Sequence, residues 1–220
     1  MINQSEDIIK ILFLAANPDD TTKLRVDQEY RDVQEGIKRA KFRDRFELIS
    51  RWAVRPKDLR RVLLDKEPHI LHFAGHGEGF VKKQREEFAR KRGSLKIGKK
   101  SEEDPFKNYQ GGIILQDDND NKTIISDKNL GQLIGLFENI KCVFLNACYS
   151  AFQAKELLKY VDTVIGMNQA VPDSTSIEFA VAFYDGLCAG NDIDFAFKYA
   201  KSAISLEGLP EADIPEIHKR

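Results

Sequence analysis

Two short apolar runs, each ending at a reactive side chain, constrain the fold of this chain more than any other feature. The first is Leu71–Gly77 (LHFAGHG), which ends around His76, and the second is Val143–Ser150 (VFLNACYS), which ends around Cys148. An apolar run bounded by glycine and polar residues is typical of a buried strand in a parallel sheet. In open α/β sheets, binding and chemistry take place beyond the carboxyl ends of such strands. We therefore expect His76 and Cys148 to lie at one edge of one sheet.

The rest of the chain alternates between strand-like and helix-like segments. Apolar runs predict strands at 8–16, 46–54, 69–74, 141–145 and 163–167, and a β-hairpin from 112–116 and 123–125 around the polar turn DDNDN. Apolar residues at three- and four-residue spacing and capping residues predict helices at 25–41, 56–65, 152–160, 174–188 and 193–206, with a further helix after Ser126 or Asp127. This alternation indicates an α/β fold with a doubly wound, mostly parallel sheet flanked by helices.

Length and composition limit the class of protein. The chain has 220 residues, which suits a single α/β domain over 1–220, and its composition of 42% hydrophobic and 31% charged residues is that of a folded globular protein. A formal net charge of −1 gives no general affinity for nucleic acid or an anionic membrane. Three cysteines are an odd number without metal-ligand spacing, and the first residues lack the pattern of a signal peptide. We therefore expect a cytoplasmic protein with reduced thiols.

One segment departs from the core pattern. Residues 80–110 contain few large apolar side chains, and they carry ten lysines and arginines against five acidic residues. Such a segment cannot supply a core strand, so it is predicted to be a charged surface insertion, partly helical. Contact with nucleic acid is an alternative, but few aromatic residues, among them Phe88 and Tyr109, are interleaved with the basic residues of the segment. A solvated face or an arm that contacts a partner is the better interpretation.

The two strand ends supply the parts of a cysteine nucleophile and its base. A thiol at Cys148 needs a lowered pKa or a nearby base to react at neutral pH, and His76 can be that base. Glycines at 75 and 77 allow close approach and free a backbone N–H, so the N–H groups of Gly77 and Cys148 are the candidate oxyanion hole. Taken singly, each side chain is more simply a buried small residue or a hydrogen-bonded core histidine. The pair at two strand ends favours the reactive interpretation.

A zinc site made by the clustered histidines is the main competing use of these residues. His69, His72 and His76 lie within eight positions, and Cys148 could complete a ligand set. However, side chains alternate between the faces of a strand, so His69 and His72 point to opposite sides. His72 is then predicted to be a core histidine, and His218 to lie in a frayed tail. No glycine-rich phosphate loop is present, and we expect neither a metal nor another cofactor.

The two blocks HFAGHG and LNACYS resemble the signature blocks of the CHAT family. Members of this family are caspase-like cysteine peptidases, of the same clan as caspases, metacaspases and separases. The resemblance extends over most of the chain, through Leu12–Pro18, Pro68–Phe73, Val164–Asn168 and Ala182–Asp185. It implies a caspase-like α/β/α sandwich that hydrolyses peptide bonds, with Cys148 as nucleophile and His76 as general base. The insertion at 80–110 departs from the compact family pattern and, beside the active-site rim, would be a lid, an exosite or a docking arm.

The resemblance also implies a pocket beside the nucleophile that selects the residue before the cut. Acidic residues in that pocket would favour lysine or arginine, and basic residues would favour aspartate. Asp173 matches a position where relatives carry an acidic residue, and Asp117 and Asp118 in the predicted hairpin are rival substrate-binding residues. Asp173 could equally be the N-cap of the helix that follows it.

Together these features predict a cysteine endopeptidase that cleaves a protein partner. By resemblance it would be a regulated effector in a prokaryotic defence or signalling system, controlled by an activating or gating protein or domain, with self-cleavage between residues 80 and 110 as one route. No membrane or direct nucleic-acid contact is expected. One alternative is a catalytically silent caspase-like binding module. Another is a small-molecule hydrolase or transferase.

Overall fold

A computed structural model describes residues 8–78 and 111–220, so the predicted insertion at 80–110 lies outside the described residues. The strands are β1 (Ile9–Ala15), β2 (Phe46–Arg51), β3 (Ile70–Ala74), β4 (Gly77–Glu78), β5 (Gly112–Gln116), β6 (Lys122–Ser126), β7 (Cys142–Asn146), β8 (Thr163–Met167) and β9 (Pro215–Lys219). The α-helices are α1 (Val26–Arg39), α2 (Pro56–Lys66), α3 (Asp127–Ile134), α4 (Ala154–Leu157), α5 (Asp173–Cys188) and α6 (Ile193–Leu206).

The main sheet has six strands in the order β2-β1-β3-β7-β8-β9. Every neighbouring pair runs parallel except β8 and β9, which run antiparallel. The chain leaves β1 for β2 on one side and returns to β3 on the other, which creates a switch point where connections diverge. The mostly parallel, doubly wound sheet predicted from the sequence is therefore confirmed.

Helices cover both faces of this sheet, as the alternating side chains of each buried strand require. On β7, Val143 and Leu145 face the core shared with α2, α3 and α4. Cys142 and Phe144 face the opposite core, shared with α1, α5 and α6. The result is a three-layer α/β/α sandwich.

A smaller antiparallel sheet stands beside the carboxyl end of β3. It has the order β4-β5-β6, and β5 with β6 is the hairpin expected around the DDNDN turn. Its first strand, β4, follows His76 directly. The smaller sheet is therefore joined to the edge where the reactive side chains were predicted.

The C-terminal segment corrects one prediction. His218 was expected in a frayed tail, but it lies in β9, opposite Val164 of β8. Without β9 the backbone of β8 would be an open sheet edge, which is costly when the strand is buried. Ile217 packs against the core from this strand. A five-residue edge strand with one large apolar residue gives too weak a pattern to be predicted from the sequence.

Two predicted elements are shorter than expected. The strand at 46–54 ends at Arg51, because the backbone turns at Ala53, whose φ is 50°. The helix at 152–160 is a 3-10 turn at Ser150–Gln153 followed by the single turn of α4. Within residues 8–78 and 111–220, no helix is both long and apolar enough to cross a membrane.

Candidate active site

The strand register places His76 and Cys148 next to each other at the carboxyl edge of the sheet. Ala74 at the end of β3 is paired with Asn146 at the end of β7. His76 and Cys148 each lie two residues beyond that pair. The contact continues past the strands, because the Gly75 N–H donates to the Asn146 carbonyl at 3.4 Å. The structure therefore brings together the two residues that the sequence singled out.

Glycine at position 77 allows these two strand ends to touch. A side chain there would overlap the carbonyl oxygen of Cys148, and its β-carbon would lie 3.2 Å from the β-carbon of Ala147. Glycine at position 75 is needed for a similar reason, since a β-carbon there would lie 2.7 Å from the Ala16 carbonyl. Both glycines of the HFAGHG block thus serve close backbone approach.

The turn after Cys148 is held rigidly. Tyr149 adopts a left-handed conformation with φ 62°, which turns the chain out of β7 and into the 3-10 turn. Ser150 then fixes that turn: its hydroxyl donates to the Leu145 carbonyl at 2.8 Å and accepts from the Met167 N–H at 3.0 Å. Ser150 is completely buried. Cys148 is therefore anchored between β7 and β8 while its side chain stays partly exposed.

The ring of His76 is oriented by a main-chain carbonyl. Its Nε2 lies 2.7 Å from the carbonyl oxygen of Thr22. A carbonyl oxygen only accepts, so Nε2 carries the hydrogen and Nδ1 is the ring nitrogen that can take a proton. Sequence reasoning missed Thr22, because the group it supplies belongs to the backbone and leaves no side-chain signal.

The three cysteines, all within the described residues, occupy different environments. Cys142 and Cys188 are buried, and Cys148 is partly exposed. Burial raises the pKa of the Cys142 thiol to about 12, and burial, aided by Asp185, raises that of Cys188 to about 12 as well. Cys148 is therefore the thiol that a substrate or reagent can reach.

The N–H groups of Gly77 and Cys148 were predicted to be oxyanion donors. Gly77 is opposite Ile113 in the antiparallel β4–β5 pair, and the Ile114 N–H donates to the His76 carbonyl at 2.9 Å. This pattern makes Gly77 and Ile113 a non-hydrogen-bonded pair, so the N–H of Gly77 points away from β5. In the part of the chain that the structure describes, the Cys148 N–H has no hydrogen-bond partner. Neither N–H group is thus engaged by another group of the described chain.

Asp173 lies at the junction of two helix N-termini. It is the first residue of α5, whose N-cap is Pro172, so the alternative that Asp173 is itself the N-cap is wrong. Its carboxylate instead accepts the N–H of Arg25, the residue before α1, at 3.0 Å. Together with Gly75 and Asn146, Asp173 lines a cavity of about 20 Å³. Asp173 therefore lies close to Gly75 and Asn146, which precede His76 and Cys148 at the two strand ends.

Asp117 and Asp118 make hydrogen bonds and ion pairs at the turn between β5 and β6. One carboxylate oxygen of Asp117 accepts the N–H of Asn119 at 2.7 Å and that of Asn121 at 3.0 Å. Asp118 pairs with Lys57 and Arg55, and the hydrogen bond from Lys57 holds the pKa of its carboxyl below the ordinary value. These contacts shape the turn and the packing of α2.

A buried polar chain runs beneath the site and was not predicted. Oε1 of Glu29 accepts from Asn146 Nδ2 at 2.7 Å and lies 2.8 Å from His72 Nε2. His72 Nδ1 lies 3.0 Å from the Tyr184 hydroxyl. His72 is fully buried, which confirms the prediction of a core histidine, and His69 Nδ1 accepts from the Lys10 N–H at 3.0 Å. This chain joins α1, β3, β7 and α5 next to Cys148.

An α/β/α sandwich with a histidine and a cysteine at neighbouring strand ends defines the class of caspase-like folds. Among solved structures, the fold is similar to that of a secreted C11 cysteine protease from Bacteroides thetaiotaomicron, solved in complex with an irreversible peptide inhibitor. That match has a TM-score of 0.57 and 12% identity, and covers 96% of this chain and 66% of the other.

Comparison of the sequence with known families agrees with a caspase-like fold and identifies the family. The sequence model of the CHAT domain family matches residues 3–210, and the chain belongs to that family. It is 22% identical over 215 residues to a "Probable protease" of Gillisia limnaea and 24% identical over 209 residues to a "Roc-COR-CHAT protease" of an unspecified prokaryote. The chain spans 33% of the first relative and 18% of the second.

Proposed function

We propose that this chain is a cysteine endopeptidase in which Cys148 is the nucleophile and His76 the general base. One observation carries the proposal. The hydrogen bond from His76 Nε2 to the Thr22 carbonyl leaves Nδ1 as the proton acceptor, on the strand end that lies against Cys148. A nucleophile, a base and a group that orients the base are the three parts that covalent catalysis needs.

The reaction follows from the positions of these groups. The Cys148 thiol gives its proton to His76 Nδ1, and the sulfur attacks the carbonyl carbon of the peptide bond. The N–H groups of Gly77 and Cys148 donate to the resulting oxyanion. The imidazolium of His76 then protonates the departing amine as the C–N bond breaks. Water, deprotonated by His76, then hydrolyses the thioester. The amino-terminal product leaves with a new carboxylate, and the proton held by His76 returns to the Cys148 sulfur.

The setting of this activity is also part of the proposal. We infer a regulated effector that cleaves a protein partner in a prokaryotic defence or signalling system, in the cytoplasm, under the control of an activating protein or domain. The support is indirect: both curated relatives are named as proteases, one is prokaryotic, and this chain spans a third or less of each. Free thiols at all three cysteines suit a reducing compartment.

Covalent labelling tests the reaction. Peptides carrying an acyloxymethyl ketone are incubated with the purified protein, and the modified residue is identified by mass spectrometry. We expect a single adduct on Cys148, absent in Cys148→Ala and formed about 10²- to 10⁴-fold more slowly in His76→Ala, because a general base contributes that much. His218→Ala is the matched histidine control, since His218 lies in β9 rather than at the site, and it should label normally.

The same experiment separates the alternatives. A catalytically silent binding module would bind the peptide portion without forming an adduct, and His76→Ala would change nothing. A small-molecule hydrolase would turn over a simple ester or amide with no preference for extended peptides. Labelling at equal rates in His76→Ala and in the unmodified protein would remove His76 as the base.

A further inference from the structure

We propose that a cavity at the amino-terminal edge of the main sheet binds a phosphate monoester that carries an apolar or aromatic group. The cavity has a volume of about 590 Å³, which is typical of cavities that hold a small molecule. We call it the amino-edge cavity, and the lining residues that supply polar groups to the proposed ligand are Arg45, Lys141, Thr163, Ile193 and Asp194.

The amino-edge cavity lies at the end of the sheet opposite the candidate active site. Ile9, Phe46 and Thr163, which line it, are the first residues of β1, β2 and β8. His76 and Cys148 follow the carboxyl ends of β3 and β7, and a strand of five or six residues is about 17–20 Å long. A small ligand in the cavity therefore does not touch the thiol, and its binding does not depend on the proposed peptidase function.

A buried hydroxyl in the cavity has no partner. Thr163 is only 6% exposed, and it lies on the face of β8 that also carries Ile165, toward α6. Its backbone N–H donates to the Lys141 carbonyl at 3.2 Å, but its hydroxyl makes no hydrogen bond in the part of the chain that the structure describes. Because buried hydroxyls normally have a partner, a polar group of a ligand belongs beside Thr163.

Two cationic residues line the cavity without a paired carboxylate. Arg45 is a half-buried residue directly before β2, and Lys141 is an exposed residue directly before β7. Neither side chain forms an ion pair with any of the described residues. A guanidinium is a planar fork that matches the oxygens of a phosphate, and an ammonium group adds a point charge. These two side chains favour an anionic group on the ligand.

The first turn of α6 adds two further donors. Asp192 caps this helix, and its carboxylate accepts the Phe195 N–H at 2.8 Å. The N–H groups of Ile193 and Asp194 have no acceptor within residues 8–78 and 111–220, as the start of a helix requires. Both residues line the cavity. Free N–H groups at a helix N-terminus are a common site for phosphate, so they point to the same group as the cations.

Three carboxylates also line the cavity and balance its three cationic side chains. Asp194 forms an ion pair with Lys219, and Asp192 is occupied as the cap of α6. Asp162 is exposed, and its carboxylate is not in an ion pair with any described residue. The cavity therefore has no general attraction for anions. The position of the phosphate is set by the local donors, and Asp162 opposes its binding.

The rest of the wall is apolar. Its side chains are buried or half-buried, and they are Ile9, Phe42, Phe46, Leu187 and Ile193. Inorganic phosphate alone would leave this surface uncovered and most of the volume unfilled. Covering it with an apolar or aromatic group removes apolar area from water, which strengthens binding. The ligand class is therefore a phosphate monoester with such a group.

Isothermal titration calorimetry with four probes tests this inference. The probes are naphthyl phosphate, naphthol, naphthoate and inorganic phosphate. We expect naphthyl phosphate to bind about 10- to 100-fold more tightly than naphthol, the value of a charge-assisted hydrogen bond, and at least about 10-fold more tightly than inorganic phosphate. Naphthoate should bind less tightly than naphthyl phosphate, because a carboxylate has fewer acceptor oxygens. The Cys148→Ala protein should give the same affinities.

Variants connect the binding to the cavity. Arg45→Gln should weaken binding of naphthyl phosphate about 10-fold, and Thr163→Val, which keeps the shape of the side chain, about two- to tenfold. Asp162→Asn should strengthen it, because the opposing charge is gone. Arg60→Gln is the matched control, since Arg60 is an exposed residue of α2, and it should change nothing. Circular dichroism shows whether each variant is folded.

The outcomes separate this inference from the proposed function. Equal affinity for naphthyl phosphate and naphthol, tighter binding of naphthoate, or unchanged binding in folded Arg45→Gln and Thr163→Val overturns the phosphate site. Loss of binding in Cys148→Ala would place the probe at the candidate active site and would also overturn it. Labelling of Cys148 by peptidyl electrophiles tests the peptidase function, and either result there leaves the prediction for the amino-edge cavity unchanged.

Discussion

The α-carbon of Gly77 faces the carbonyl oxygen of Cys148 with no room for a side chain between them. Gly77 directly follows His76, so this one backbone contact sets how closely the histidine and cysteine strand ends approach. The pairing of β4 with β5 turns the N–H of Gly77 away from β5. The geometry of the candidate site thus depends on the main chain as much as on its two reactive side chains.

Gly77→Ala should separate these strand ends. The added methyl group overlaps the Cys148 carbonyl, so the turn must move, at a cost to the free energy of unfolding of about 1–3 kcal/mol. Displacement of reacting groups by even 1 Å can reduce a rate about 100-fold, and we expect that loss in the labelling of Cys148. Urea unfolding and labelling kinetics measure the two effects.

Gly208→Ala is the control for this substitution. Gly208 has a positive φ of 72°, and nothing lies within 4 Å of a β-carbon there. Its replacement should cost stability through backbone strain and leave the labelling rate unchanged. A normal labelling rate in folded Gly77→Ala would contradict the role given to the Gly77–Cys148 contact.

Thr22→Ala should leave the labelling rate of Cys148 nearly unchanged. The group that orients His76 is the carbonyl oxygen of Thr22, and this substitution leaves it in place. An exposed side-chain change of this kind alters free energies by less than about 0.5 kcal/mol, so labelling of Cys148 should stay within about threefold. The rate is measured beside His76→Ala, which removes the ring itself. A loss in Thr22→Ala as large as that in His76→Ala would show that the threonine hydroxyl takes part.

The strands and helices of this structure could be predicted from the sequence, but several contacts that complete the candidate site could not. The runs that end at His76 and Cys148 are buried strands with a strong local pattern, so their type and alignment were predictable. The Thr22 carbonyl carries no side-chain signature. Glu29 and Asn146 are separated by 117 residues, and only the folded chain shows that they are partners. The bond from Arg25 to Asp173 spans 148 residues and was missed for the same reason.

Glu29→Leu should be among the most destabilising single substitutions in the described chain. It removes the acceptor shared by His72 and Asn146, which leaves His72 Nε2 buried without a partner among the described residues and Asn146 Nδ2 with the Ser176 carbonyl alone. Breaking a buried polar pair in this way costs about 3–5 kcal/mol. Glu29→Gln keeps an amide oxygen as acceptor, so its cost should be smaller. Urea unfolding followed by far-UV circular dichroism measures both.

The matched control for Glu29 is Glu47→Gln, because Glu47 is an exposed residue of β2. It should change the free energy of unfolding by less than about 0.5 kcal/mol. Equal unfolding midpoints for Glu29→Leu and the unmodified protein would mean that the buried chain does not stabilise the fold.

The three thiols should differ in reactivity. At pH 8 an alkylating reagent should modify Cys148 in the native protein, while Cys142 and Cys188 react only after unfolding, because burial keeps both thiols protonated and covered. Mass spectrometry of native and urea-unfolded samples counts the adducts. Native Cys148→Ala should take up none. Rapid modification of a second cysteine in the native state would contradict the burial of that residue.

The same two thiols predict how stability depends on pH. Their pKa rises from an ordinary 9.0 to about 12 on folding, so the unfolded chain loses these protons first. The stability that they contribute is complete below pH 9 and is lost as the pH rises from 9 toward 12. At about pH 10.5 the loss is on the order of 1–2 kcal/mol per thiol. Burial of Tyr184 raises the pKa of its phenol and acts in the same direction. Urea midpoints at pH 8 and pH 10.5 measure the slope, and Cys142→Ala with Cys188→Ala should flatten it because no buried thiol is left to ionise.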